Sequence, residues 1–224
     1  MRAFVITLSG NEQSEASADR LLESHEKLGN EFDLVVLPAT EPGDAVSFLK
    51  QHGLEWTYPW VRHETRAGLT LHPYTTTNRL ARIATFVSHY RLWKLALLDE
   101  VLILEDDAVF TRKFKPHFDR FAVLGINDPR GATRRAAHYH FMVQTHTDEV
   151  SEVPWIDKRD TPQGLAGASA YLMRPTGATA ALNLASRHGA WPNDALLCKQ
   201  LMPGMLGTIK KYYTKVQGTP STLA

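Results

Sequence analysis

Apolar positions along the chain follow two rhythms. Phe4–Leu8 and Phe32–Leu37 are short apolar-rich runs, closed by Ser9-Gly10-Asn11 and by Pro38, as expected of buried strands. Between them Ala18, Leu21, Leu22, His25 and Leu28 recur at helical spacing, and Gly29 supplies a stop. Asp44 is placed to cap a short helix through Phe48 and Leu49 that ends at Gly53. This β-α-β-α opening predicts a parallel sheet with helices on its faces. Periodicity lapses from Leu54 to Asn78, where Trp56, Tyr58, Trp60 and Tyr74 argue for a functional loop over disorder.

The longest helix follows, on the stripe Ile83, Phe86, Val87, Tyr90, Trp93, Ala96 and Leu97, with Asp99-Glu100 closing it. Val101–Leu104 is the most strand-like run and leads directly into Glu105-Asp106-Asp107. Phe118, Phe121, Ala122 and Leu124 predict a helix ending at Gly125, and residues 126–136 read as a basic loop. Tyr139, Phe141 and Val143 alternate as in a half-buried strand, which would put His138 and His140 on one face. Ala166–Met173 reads as a strand, and Pro175 opens a helix through Ala185 with Gly189 beyond it. A last helix is expected from Pro192 to before Pro203, and a final strand within Leu206–Val216. No linker or repeat interrupts this series, so one α/β domain over residues 1–224 is expected.

Composition narrows the function classes. Lys and Arg number 25 against 24 Asp and Glu, a net charge of +1, which argues against a dedicated nucleic-acid binder. The single Cys excludes an intramolecular disulfide and a Cys-based zinc cluster; Cys198, among Leu196, Leu197 and Leu201, reads as buried filler. His138, His140 and His146 lack a carboxylate or thiol partner and do not read as a metal set. No apolar run reaches the length of a signal peptide core or a membrane span, so a soluble, cytoplasmic chain is expected.

The chemistry concentrates in LILEDDAVF. A four-residue apolar run suits a central strand, and ligands of open α/β sheets bind beyond the carboxyl ends of strands. Three successive carboxylates there would repel one another unless a cation sat among them, which suggests a Mg²⁺- or Mn²⁺-assisted phosphate or diphosphate site. A solvated acidic turn is the structural alternative.

VLILEDDAVF resembles the modified DxD segment of glycosyltransferase family 25, the lipopolysaccharide and lipooligosaccharide glycosyltransferases, which are related to the procollagen galactosyltransferases. FVITLSGNEQSEASADRLLESHEKLG, IATFVSHYRLWKLAL, GLAGASAYLMRPTGATAAL, WPNDALL and KVQGTPSTLA resemble further blocks of that family, in order, over nearly the whole chain. One block departs: the family reads Gly-Glu-Ile-Gly where this chain has Ala81-Arg82-Ile83-Ala84.

The resemblance implies a single GT-A-type, Rossmann-like domain with a mainly parallel central sheet flanked by helices. It also implies metal-dependent, inverting transfer of a hexose, often galactose, from a nucleoside diphosphate sugar to a saccharide or glycolipid acceptor. Asp106 and Asp107 become the metal candidates. Leu8, Arg20, Ser88, Glu105 and Asp106 become the donor-binding candidates. Asp194 is the first choice for the base and His89 the second. Each has a bland alternative: a helix cap for Asp194, a solvated helix face for Arg20, and structural hydrogen bonds for Ser88 and His89. Work at the inner face of a membrane, with peripheral contact, is compatible with such an acceptor. Two other readings stand beside this one: a degenerate, non-catalytic homologue, motivated by Ala81–Ala84, and a glycosyltransferase acting on modified nucleic acid, motivated by Arg130, Arg134 and Arg135.

Overall fold

The computed structural model describes residues 1–115, 120–133 and 135–219. Strand β1 (Arg2–Thr7) is buried beyond its first residue and leads into helix α1 (Glu12–Lys27). Asn11 caps α1 by accepting from the Ser14 N–H, and Glu12 and Glu15 begin the helix while His25 and Lys27 end it, matching its dipole. Strand β2 (Leu34–Pro38) and helix α2 (Pro42–Gln51) follow. Pro42 opens α2 ahead of Asp44, so Asp44 lies inside the first turn and Glu41 is the cap residue. The stretch expected to be irregular contains a hairpin, β3 (Glu64–Arg66) and β4 (Leu69–Leu71). Ala67 and Gly68, at φ of 52° and 74°, form its two-residue turn.

Helix α3 (Arg79–Leu95) starts at Asn78, whose side chain accepts from the Ala81 N–H at 3.0 Å. It buries Ile83, Phe86, Val87 and Trp93 of the predicted stripe, with Tyr90 half-buried, and ends before Ala96 and the exposed Leu97; it also buries Ser88 and His89, which the apolar pattern placed beside the stripe. Strands β5 (Val101–Glu105) and β6 (Ala108–Phe110) flank the Asp106-Asp107 turn. The helix expected to end at Gly125 is instead strand β7 (Val123–Gly125); Phe118 lies outside the described residues. The opposite correction applies to the strand expected around Tyr139, which is helix α4 (Ala136–Thr145). Tyr139 and Val143, four residues apart, are its buried positions and Phe141 stays exposed, so His138 and His140 do not share a face.

Strand β8 (Val150–Glu152) precedes β9 (Ala170–Met173), which is shorter than the run expected from Ala166. Helix α5 (Pro175–His188) ends at Gly189 as expected, whereas helix α6 (Asn193–Leu196) is a single turn and leaves the buried Cys198 beyond it. The last segment is two strands, β10 (Leu206–Ile209) and β11 (Thr214–Val216), where one was expected.

Seven strands form the main sheet in the order β2-β1-β5-β9-β7-β10-β8. β2, β1 and β5 pair in parallel, β9 runs against both β5 and β7, β10 is parallel to β7, and β8 is reversed at the edge. Five strands therefore share one direction, giving the helix-flanked, mainly parallel sheet expected. β7 is a strand because it is paired on both sides; the two ladders satisfy its backbone and override the helical spacing of its apolar residues. β5 lies between β1 and β9, and Val101–Leu104 have no exposed surface. Each such side chain contributes roughly 1.5–3 kcal/mol of burial, enough to fix the register that carries the acidic turn.

Candidate active site

Ile6 on β1 stands opposite Glu105 on β5, so Leu8 and the Glu105-Asp106-Asp107 turn leave the sheet together at its carboxyl edge. They open onto a cleft of about 360 Å³, whose other walls include Ser88, His89 and, from the start of α3, Asn78 and Ala81. The sequence-predicted residues Leu8, Ser88, His89, Glu105, Asp106 and Asp107 are thus brought together. Arg20 is not on this wall. Its guanidinium donates to Gln217 Oε1 at 2.6 Å and to Ser17 Oγ at 2.8 Å, so it braces the chain's last segment against α1.

The turn is electrostatically strained. Burial pushes the Asp107 carboxyl up to about 7, the charges of Glu105 and Asp106 add to that, and the Ser169 hydroxyl opposes it. Asp106 is also raised, chiefly by burial, with the Ser14 hydroxyl opposing. Asp107 Oδ1 is buried with no hydrogen-bond partner. Crowded like charges with an orphaned carboxylate oxygen are what a hard cation would relieve, and oxygen ligands suit Mg²⁺ or Mn²⁺. Among the described residues no three His, Cys, Asp or Glu side chains gather as a metal cage, so the remaining ligands would come from phosphate oxygens and water.

Sequence reasoning missed the parts that hold this turn. Gln217, just after β11, donates its side-chain amide toward the carbonyls of Ser17, Asp106 and Ala108 at 2.8–3.1 Å, and its backbone N–H to the Asp107 carbonyl at 2.8 Å. Ser14 Oγ accepts from the Leu8 N–H at 2.8 Å and tethers the first loop. Only the resemblance of KVQGTPSTLA to the family's closing block pointed toward Gln217; Ser14 carried no signal beyond its place near a helix start. The block's last residues lie outside the described residues.

Ser88 Oγ accepts from the Thr40 N–H at 2.9 Å and donates to the Ala84 carbonyl at 2.9 Å, tying the loop after β2 to α3. His89 has no exposed surface, and both ring nitrogens are engaged: Nδ1 with the Tyr171 hydroxyl at 2.7 Å, Nε2 with Glu105 Oε1 at 3.0 Å.

Asp194 lies in α6, after its cap residue Pro192, so it does not cap that helix. Its carboxylate lines a second, larger cavity of about 640 Å³ with Tyr58, Tyr74 and Tyr139. The Tyr74 hydroxyl donates to Asp194 Oδ2 at 2.8 Å, and the Arg82 guanidinium lies over the Tyr74 ring, 4.7 Å from its centre. Burial raises the Asp194 carboxyl above the usual range; the Tyr74 hydrogen bond and the Arg82 charge work against it, and Glu105 is near enough to add to it. Of the four aromatics in residues 54–78, only Tyr58 and Tyr74 reach this cavity. Trp56 and Trp60 stack on each other, with centres 4.9 Å apart.

The basic stretch is largely spoken for. Arg130 pairs with Asp128 at 2.6 Å and Arg135 with Asp157 at 3.4 Å, while Arg134 lies outside the described residues. Among the described residues no helix is long and apolar enough to cross a membrane.

No curated protein matches the chain. Among solved structures it is similar to the apo-form glycosyltransferase GlyE of Streptococcus pneumoniae TIGR4, at 11% identity and a TM-score of 0.44, covering 93% of this chain and 44% of that one. It is also similar to the galactosyltransferase LgtC in complex with donor and acceptor sugar analogues, at 14% identity and a TM-score of 0.43, covering 93% and 72%. The chain therefore spans less than half the length of GlyE. Residues 74–197, more than half of the 224 and the stretch carrying α3, the acidic turn and Asp194, match glycosyltransferase family 25 (LPS biosynthesis protein), and the chain belongs to that family.

Proposed function

We propose that the protein is a metal-dependent, inverting hexosyltransferase that moves a sugar, galactose being the first to test, from a nucleoside diphosphate donor to a saccharide or glycolipid acceptor. One observation carries the reading: the buried, orphaned Asp107 Oδ1 within a half-buried triple-carboxylate turn, at the carboxyl end of the central strand and open to a cleft. Asp106 and Asp107 would hold the divalent cation, whose chemistry is to neutralise the departing nucleoside diphosphate. Glu105 and the Leu8 loop bind the nucleoside side of the donor. The acceptor enters through the larger cavity, where Tyr58 and Tyr74 offer apolar faces to a sugar ring. Asp194 takes the acceptor hydroxyl's proton as that oxygen attacks the anomeric carbon from the side opposite the leaving group; inversion needs only this one base. A glycolipid acceptor would bring the protein to the cytoplasmic face of a membrane by peripheral contact.

The test is release of nucleoside diphosphate from a panel of nucleotide sugars, with and without Mn²⁺, for the wild type and Asp107→Asn. Mn²⁺-dependent release from at least one donor, abolished in a folded Asp107→Asn protein, is expected. Release that ignores both Mn²⁺ and the substitution would remove the acidic turn from the reaction.

A further inference from the structure

Behind the acidic turn runs an unbroken line of buried polar groups. Trp93 Nε1 lies 2.9 Å from the Tyr171 hydroxyl, that hydroxyl 2.7 Å from His89 Nδ1, and His89 Nε2 3.0 Å from Glu105 Oε1. Trp93, Tyr171 and His89 have no exposed surface, whereas Glu105 reaches the cleft. The direction of each bond follows from its donors. An indole N–H can only donate, so Trp93 gives its hydrogen to the Tyr171 oxygen. Tyr171 must then place its own proton on His89 Nδ1. A neutral imidazole that accepts at Nδ1 carries its hydrogen at Nε2, and that N–H points at Glu105. A protonated ring would donate from both nitrogens and leave the Tyr171 hydrogen buried without an acceptor, a costly state.

We propose that Tyr171 is a positioning residue: by fixing the Nε2–H tautomer of His89 it clamps one oxygen of Glu105 and leaves the other to accept hydroxyl groups of the nucleotide in the cleft. The role given to Glu105 rests on the donor-site reading above. His89 then serves as a fixed hydrogen-bond donor, and the base remains Asp194. The buried ring of Tyr171 lies parallel to that of His89 within 8°, their centres 5.7 Å apart.

The experiment labels the histidines with ¹⁵N and reads the ring-nitrogen shifts of His89, assigned by His89→Gln, beside calorimetric affinities for uridine and guanosine diphosphates with Mn²⁺. The wild type should show the Nε2–H form with Nδ1 hydrogen-bonded, and in Tyr171→Phe the Nδ1 signal should move to the position of a nitrogen that accepts no hydrogen bond. Affinity should fall about tenfold in Tyr171→Phe and in His89→Leu, the scale of one hydrogen bond to a charged group. His89→Gln, whose amide N–H can still reach Glu105, should stay within about threefold of wild type on the same scale. If Tyr171→Phe does not fold, the contrast between His89→Gln and His89→Leu decides. A wild-type Nδ1–H or doubly protonated ring overturns the proposal, as do equal affinities for the two His89 variants. A wild type that shows the Nε2–H form but binds no nucleoside diphosphate would instead sink the donor-site reading, and with it the part given to Glu105.

Discussion

Replacing Asp194 with Asn separates chemistry from architecture at one atom. Asn keeps an oxygen for the Tyr74 hydroxyl, now 2.8 Å from Oδ2, and keeps the shape of a side chain that lines the larger cavity. What it loses is a basic oxygen and one charge. Arg82, which faces it, is half-buried and its Nε has no hydrogen-bond partner among the described residues, so losing the charge should cost about 1–2 kcal/mol, a shift of roughly 2–8 °C in Tm for a chain this long. A general base is worth roughly a hundredfold to ten-thousandfold in rate, or about 3–5 kcal/mol of barrier. Transfer should therefore collapse while folding and donor affinity hold. The burial that raises the Asp194 carboxyl also predicts an acid limb in the rate profile above the usual carboxylate range, absent from the variant's residual activity. Transfer rate, nucleotide-sugar affinity and Tm are measured on the same preparation. Near-wild-type transfer would refute the base assignment, and an equal loss of donor affinity and rate would move Asp194 into the donor site.

Gln217→Leu strips the acidic turn of its side-chain amide bonds to Ser17, Asp106 and Ala108. Mn²⁺ affinity should drop several-fold and stability by about 1–2 kcal/mol, read by metal titration and thermal melts, and an unchanged metal affinity would deny the clip a part in the site. His25 packs edge-on to Phe32, with ring centres 4.7 Å apart, and burial lowers its pKa while the Phe32 carbonyl opposes. Its folded value lies below the unfolded one near 6.5, so its contribution is complete above about 6.5 and is lost as pH falls through the folded value. His25→Phe should make Tm fall less steeply between pH 7 and pH 5, and parallel profiles would refute this. A Cβ on Gly164 would run into the Leu197 carbonyl oxygen beside Asp194, so Gly164→Ala should cost about 1–3 kcal/mol or displace α6, and an unchanged melt with unchanged transfer would count against that packing.

What could be read from the sequence was whatever local spacing controls. β1, α1, α3, β5 and α5 follow from apolar runs, helical stripes and their caps, and the acidic turn follows from β5 because its apolar run stops at Glu105, the strand's last residue. β7 and α4 were exchanged for physical reasons. Val123–Gly125 owes its conformation to β9 and β10, partners distant in the chain, and Tyr139 and Val143 satisfy a four-residue repeat that a two-residue alternation also contains. The same limit hid Gln217: its bonds span roughly 110 and 200 residues, and no local pattern encodes them. His89 looked peripheral because the apolar stripe counts only carbon, while its burial depends on the hydroxyl of Tyr171 and the carboxylate of Glu105.

The departure at Ala81–Ala84 bears differently on function once the side chains are placed. Ala81 opens onto the smaller cleft, and its neighbour Arg82 turns toward Tyr74 and Asp194, which line the larger cavity. Burial pushes the Asp194 carboxyl toward its protonated form, in which it cannot take a proton from an acceptor. Arg82 acts on Asp194 in the opposite sense, toward the ionised form. A carboxylate at position 82, as in the family's usual block, would add to Glu105 in pushing Asp194 the other way. Arg82 in place of the family's Glu thus favours the ionised carboxylate that the proposed base role needs, and argues for an adapted site more than for a lost one.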